Sequence, residues 1–213
     1  MKSFRRYLLD EHLNNNIDLF TGTVLDIGGK KINKRGRFLP PIDSVEDWIY
    51  LNPDISTKPD LCCSAEKIKI NSSKINTVLM TEVIEYISDI DGALKEINRV
   101  LKKNGILIFS TPFLHPVHGD YYFDKVRYTR IFLEEKLMNN NYSIIDITEM
   151  GSLGAVIYDI LRISAGYASG NKSSRLYRKF IKFLFPFFLY LDKKTTKQKK
   201  YINTGYFVIA RKN

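Results

Sequence analysis

Several short segments of this chain are apolar along their whole length and end in glycine or polar residues, which constrains the fold more than any other feature. The clearest are 23–27, which precedes two glycines, and 106–110, which follows a predicted helix with its apolar residues on one face. Strands of this kind are buried on both faces, as in a parallel sheet covered by helices. The pattern predicts an α/β fold with seven strands, at 23–27, 48–52, 60–63, 77–80, 106–110, 142–148 and 205–210.

The length of 213 residues predicts one domain, 1–213, with a helical insertion at 150–203 before the last predicted strand. The two cysteines, Cys62 and Cys63, are adjacent and predict no disulfide framework, which indicates a reducing compartment. No apolar run is long enough for a secretory signal or a spanning helix. We therefore expect a cytoplasmic protein.

The net charge of +10 is concentrated in one late segment. Residues 171–200 hold ten Lys or Arg and one acid, Asp192, while the other 23 bases and 22 acids nearly cancel. A neutral body disfavours a general nucleic-acid surface, but the basic segment can bind a local anionic partner.

The basic segment is also amphipathic when its residues are placed at helical spacing. Arg175, Arg178, Lys179 and Lys182 share one arc, and aromatic and aliphatic residues occupy the opposite side. Such a helix suits an anionic membrane interface, here the inner membrane face. The alternative is a helix that covers the protein's own core, and the sequence alone leaves both open.

Polar residues follow four of the predicted strands at the edge where parallel sheets bind ligands. Glycines after the first strand let the backbone approach a ligand closely. A carboxylate shortly after the second strand can accept both hydroxyls of a ribose. The residues at these strand ends are Asp26, Gly28, Gly29, Asp54, Ser64, Ala65, Glu66, Thr81 and Glu82.

The runs VLDIGG, TVLMTEVIEYI and EINRVLKKNGILIFSTPF resemble class I S-adenosylmethionine-dependent methyltransferases, in particular small methyltransferase-domain proteins associated with glycan synthesis. The resemblance covers roughly 20–150 and the final strand. It implies a Rossmann-like, doubly wound, mainly parallel sheet whose last strand is antiparallel. It also implies S-adenosyl-L-methionine as cofactor, with Asp26, Gly28 and Gly29 at the methionine end, Asp54 on the ribose, Ser64, Ala65 and Glu66 beside the adenine, and Thr81 and Glu82 along the cleft.

The chain departs from this family at three positions. Lys30 stands where a further glycine is usual, Ser64 where an acid flanks the adenine, and Tyr86 where a histidine is usual. These departures keep open a non-catalytic module that binds S-adenosylmethionine or associates with membranes.

The stretch 112–129 follows the fifth predicted strand and resembles a family pattern of histidine, proline, aspartate and RYT. Its substrate-site candidates are His115, His118, Asp120, Asp124, Arg127 and Tyr128. A histidine can remove a hydroxyl proton near neutral pH, and a neighbouring carboxylate can orient it. We predict His118 as the base, with Asp124 or Asp120 as helper and His115 as the other catalytic histidine. Arg127 and Tyr128 are predicted to bind the substrate, unless Asp124 and Arg127 form a structural ion pair.

The predicted function is methyl transfer to a small-molecule or glycan-precursor acceptor, at a hydroxyl oxygen. A lipid-soluble quinone is the alternative acceptor. The three histidines are not spaced as a metal set, so no metal site is expected.

Overall fold

The computed structural model describes residues 3–32, 36–117, 124–167 and 172–213. Six strands form one sheet with the order β2-β1-β3-β4-β6-β5. They are β1 (Thr23–Ile27), β2 (Asp47–Leu51), β3 (Ile75–Thr81), β4 (Leu101–Pro112), β5 (Tyr142–Met150) and β6 (Gly205–Lys212). Strands β2, β1, β3 and β4 pair in parallel, and β6 runs antiparallel to both β4 and β5. The mainly parallel sheet and the antiparallel last strand are confirmed.

The prediction of seven strands is wrong, because the segment 60–63 forms only an isolated bridge between Leu61 and Leu51. The cause lies in Asp60, whose carboxylate accepts the hydrogen bond of the Tyr50 backbone N–H at 2.9 Å. Because the Tyr50 N–H donates to this side chain, it is not available to the backbone carbonyl that would extend the ladder. Pairing with β2 therefore stops after one residue.

Helices cover both faces of the sheet. On one face α2 and α3 enclose the larger core cluster, which includes Leu94, Ile97 and Leu133. On the other face, Leu9 and Leu13 of α1 pack on Val24 and neighbouring strand residues. The helices are α1 (Phe4–Asn15), α2 (Ile90–Val100), α3 (Arg130–Asn139), α4 (Leu153–Tyr167), α5 (Lys172–Phe183) and α6 (Phe185–Lys194), with short 3₁₀ turns at Ile17–Leu19, Ile42–Ser44, Ile55–Thr57, Ile84–Tyr86 and Thr196–Gln198.

Helices α4, α5 and α6 lie between β5 and β6 in the chain and pack together with α1. Phe4 of α1, Tyr158 of α4 and Phe188 of α6 belong to one buried cluster. Helix α1 and the helices of the insertion are thereby packed against one another. None of the helices in the described residues is long and apolar enough to cross a membrane.

Candidate functional site

A cavity of about 880 Å³ opens at the carboxyl ends of β1, β2 and β3. Its floor is formed by residues that follow these strands, including Gly28, Asn52 and Glu82. Residues of α1, together with His115 and Arg162, close the opposite side. This is the edge at which an open α/β sheet binds its ligands.

The predicted glycine turn after β1 is packed so closely that side chains are excluded. Gly28 has φ of +78°, and a Cβ there would lie 2.3 Å from Cγ2 of Val83. A Cβ on Gly29 would lie 2.4 Å from the carboxylate of Asp26, which itself accepts a hydrogen bond from Nε1 of Trp48 at 3.3 Å. All three predicted residues line the cavity, whose wall here is bare backbone.

At the end of β2 the cavity is lined by Asn52 and not by Asp54, whose role on the ribose stays a prediction. Asn52 lines the cavity directly after the strand, and its amide donates to the carbonyl oxygens of Gly28 and Gly29 at 3.2 Å each. Asp54 is exposed and does not line the cavity, because its carboxylate caps the next 3₁₀ turn by accepting from the Ser56 N–H at 2.9 Å. Those hydrogen bonds from Ser56 hold the pKa of Asp54 below its usual value, so the group is ionised at neutral pH.

The three residues predicted to flank an adenine do not line the cavity. Ala65 is buried in the core, and the carboxylate of Glu66 accepts from the Asp89 backbone N–H at 3.3 Å. The carbonyl of Ser64 accepts from the Lys67 N–H at 3.2 Å. Their role toward a cofactor stays a prediction.

Thr81 and Glu82, at the end of β3, do line the cavity. Glu82 adopts a left-handed backbone with φ of +57°, and its carboxylate accepts from the Ser110 hydroxyl at 2.7 Å. The same carboxylate forms a buried ion pair with the guanidinium of Arg5 in α1. Glu82 therefore joins the end of β3 to the helix that covers the cavity.

A second buried carboxylate, Asp159 of α4, anchors the start of α1. Its oxygens accept from the backbone N–H groups of Phe4 and Arg5 at 2.7 and 3.1 Å. Burial raises the pKa of Asp159, and these two hydrogen bonds oppose the rise. Burial also lowers the pKa of Arg5 to about 10, which leaves the guanidinium charged at neutral pH.

His115 lies between this carboxylate and the chain that follows β4. Its Nδ1 lies 2.9 Å from the carbonyl oxygen of Pro116, and its Nε2 lies 3.6 Å from Oδ2 of Asp159. A carbonyl can only accept, so Nδ1 carries a proton. His115 lines the cavity, and both ring nitrogens face protein acceptors, which suits an anchoring residue better than a proton acceptor.

Of the remaining candidates after β4, the described residues Asp124, Arg127 and Tyr128 do not line the cavity. Asp124 and Arg127 form a two-pronged ion pair that includes a contact of 2.7 Å between Nη2 and Oδ2, and Asp124 raises the pKa of Arg127. This is the structural pair named above as the alternative. Tyr128 is buried and stacks on Phe132 at 5.1 Å between ring centroids. His118 and Asp120 lie outside the described residues.

Several cavity or anchoring residues were not predicted from the sequence, among them Arg5, Asn52, Asp159 and Arg162. Asn52 could have been found from its place directly after a predicted strand. Asp159 stands as a lone acid in the apolar run VIYDILRI, which is a visible signal. In the described part of the chain, no group of three or more His, Cys, Asp or Glu could hold a metal ion.

Comparisons with known proteins agree with this fold. A sequence family described as a methyltransferase domain matches residues 42–109, whereas no curated protein matches the chain. A putative S-adenosylmethionine-dependent methyltransferase from Listeria monocytogenes superposes with a TM-score of 0.57 at 16% identity, covering 97% of this chain and 98% of its own. Geranyl diphosphate C-methyltransferase from Streptomyces coelicolor A3(2) gives 0.62 at 11% identity, covering 97% and 80%. The [4+2]-cyclase SpnF gives 0.61 at 15% identity, covering 96% and 79%.

The chain thus has the Rossmann-like fold of S-adenosylmethionine-dependent methyltransferases. The matched family is described as a methyltransferase domain, and the Streptomyces coelicolor enzyme was solved with S-adenosyl-L-homocysteine bound. Gly28 and Gly29 line the cavity without side chains, which lets such a ligand approach the backbone closely.

Proposed function

We propose that this protein transfers a methyl group from S-adenosyl-L-methionine to the hydroxyl oxygen of a small-molecule acceptor held in the cavity. The observation that carries the proposal is the 880 Å³ cavity at the ends of β1–β3, with its glycine wall, inside a fold that matches methyltransferases. When bound, the cofactor supplies an activated methyl group. Gly28, Gly29 and Asp26 would hold its methionine end, and Asp54 its ribose.

Part of the cavity lining supports a polar acceptor. Arg6, Asp10, Tyr86 and Arg162 line the cavity, and these side chains suit a hydroxyl-rich molecule better than an apolar quinone. A sugar hydroxyl of a glycan precursor is the acceptor we propose. His118 would take the proton that the hydroxyl loses, because Asp124 and His115 are engaged by Arg127 and Asp159.

The test is calorimetry with S-adenosylmethionine and S-adenosylhomocysteine, followed by mass spectrometry of S-adenosylhomocysteine formed with a panel of sugar nucleotides, prenyl diphosphates and quinones. Binding of both ligands with turnover on a sugar nucleotide supports the proposal. Binding without turnover on any acceptor favours a non-catalytic module. Turnover on a prenyl diphosphate indicates that the methyl group is transferred to carbon instead of a hydroxyl oxygen.

We expect Gly28→Ala to weaken S-adenosylmethionine binding about tenfold or more, because its Cβ collides with Val83 and strains a left-handed backbone in the cavity wall. The measurement is titration calorimetry. Gly22→Ala is the matched control, since Gly22 also has a positive φ, +54°, but does not line the cavity. Equal affinities of the two variants would contradict a cofactor site at this turn.

We expect Asp54→Ala to weaken cofactor binding about tenfold, through the loss of charge-assisted hydrogen bonds to the ribose. Thermal unfolding should change little, because the side chain is exposed. If Asp54→Ala binds normally while Asn52→Ala does not, the ribose contact belongs to the residue directly after β2.

A further inference from the structure

Helix α5 presents three faces of different chemistry, about 120° apart around its axis. Tyr177 and Ile181 face the protein, where Ile181 is buried. A second face carries four cations, Arg175, Arg178, Lys179 and Lys182, all exposed. The third face carries Leu176, Phe180 and Phe183.

This third face is apolar yet lies in solvent. Leu176, Phe180 and Phe183 are 70%, 54% and 79% exposed. Their spacing of four and three residues makes a continuous stripe along the helix. Beyond the junction with α6, Phe187 is also exposed, whereas the adjacent Phe188 is buried among α4 and α6. The protein's own core therefore uses only part of the apolar residues of this segment. We call Leu176, Phe180, Phe183 and Phe187 the apolar stripe; all four are more than half exposed, and the Phe187 ring also contacts that of Phe188.

The surface around the stripe is cationic because the acid of the segment points inward. Asp192 is buried, and its carboxylate accepts from the backbone N–H groups of Ser152 and Ala155 at 2.6 and 2.9 Å. The negative charge of Asp192 thus lies at the N-terminus of α4, where it stabilises the helix. Among residues 175–200, the exposed charged side chains are all Lys or Arg.

An apolar stripe bordered by cations on a surface helix matches the interface of a bilayer that contains anionic lipid. Apolar side chains enter the boundary between headgroups and acyl chains, and the cations meet lipid phosphates. A second copy of this chain would bring two cationic faces together, whereas anionic lipid supplies both the phosphates and the apolar boundary that the two faces need. The charge complementarity therefore favours a lipid surface.

We propose that α5, with the start of α6, docks this protein on an anionic bilayer through the apolar stripe and its flanking cations. The docked helix packs on α4, whose Arg162 lines the cavity, so docking brings the cavity close to the lipid surface. The inference does not rest on methyl transfer, since it concerns a different surface.

The experiment is co-sedimentation of the whole chain with vesicles of phosphatidylcholine alone and with vesicles that also contain phosphatidylglycerol. We expect binding only to the anionic vesicles. It should weaken strongly as salt rises from about 0.1 to about 1 M, where the Debye length falls from about 10 to about 3 Å. Equal binding to both vesicles, or to neither, overturns the proposal, as does a preference for RNA that competes the vesicles away.

Two sets of variants separate the apolar and the electrostatic contributions. Leu176→Ser with Phe180→Ser should weaken partitioning about tenfold or more, and Lys179→Gln with Lys182→Gln to a similar extent. Ile131→Ser with Met138→Ser removes exposed apolar residues from α3 and should leave binding unchanged. If this control pair weakens binding as much as the stripe pair, the proposed surface is wrong.

Phe187 and Phe188 form a further matched pair. Phe187→Ser should weaken vesicle binding and keep the unfolding midpoint, because its ring is exposed. Phe188→Ser should lower the midpoint, because its ring is buried. The reverse outcome contradicts the placement of the stripe. Calorimetry with S-adenosylmethionine should be unaffected by the stripe variants, so that failure of docking and failure of the proposed function can be told apart.

Discussion

Asp159→Ala is expected to lower the free energy of unfolding by about 3 kcal/mol or more, the range for removing one partner of a buried ionic network. The lost carboxylate accepts from the Phe4 and Arg5 N–H groups and faces His115 and Arg162 at 3.6 Å each. Its removal leaves buried donors without an acceptor and detaches the start of α1. Urea denaturation measures the effect.

Ile160→Ala, on the same helix, is the control and should change stability by less than about 1 kcal/mol, because Ile160 is half exposed. Asp159→Asn should fall between the two, since its amide oxygen can still accept one of the N–H bonds. A loss for Asp159→Ala no larger than that of the control would show that the network does not anchor α1.

His118→Ala is expected to lower turnover about 10²-fold or more with cofactor affinity unchanged, as for the removal of a general base. His115→Ala provides the contrast. Its ring bridges the Pro116 carbonyl and Asp159, so its loss should act first on stability. The measurements are turnover at saturating acceptor and the unfolding midpoint of both variants.

A rate–pH profile distinguishes a base from an anchor. The wild-type profile should show an acidic limb that His118→Ala abolishes and His115→Ala retains. Full activity of His118→Ala, together with loss of the acidic limb in His115→Ala, would identify His115 as the general base. In that case the Asp159 contact would orient a catalytic imidazole.

Local signals were enough to predict much of the fold. Asp89 and Thr129, residue types that favour helix N-caps, cap α2 and α3 by accepting from the N–H groups of Gly92 and Phe132 at 2.9 and 3.4 Å. The strand ends and the glycine turn follow from hydrophobic pattern and backbone freedom, which depend on near neighbours. Asp26, Gly28, Gly29, Thr81, Glu82 and His115 consequently meet at one cavity.

Features set by distant contacts were not predictable in the same way. Asn104-Gly105 is typical of a helix end, but α2 ends at Val100, and Asn104, with φ of +63°, lies in an irregularity of β4 beside β3. A residue with positive φ fits both a helix end and an irregularity in a strand. The pairing of β4 with β3 therefore decides which of the two forms here. The ion pair of Arg5 with Glu82 likewise joins residues far apart in the chain, and sequence pattern carries no sign of it.

The position of β6 between β4 and β5 has a consequence for biosynthesis. Both neighbours precede it in the chain, and α4–α6 must be made before its residues emerge. Until then β4 and β5 each expose a row of unpaired backbone groups, the kind of edge on which nascent chains aggregate. Completion of the sheet therefore awaits the last strand, and chaperones that shield open edges should matter most for this protein during that interval of translation.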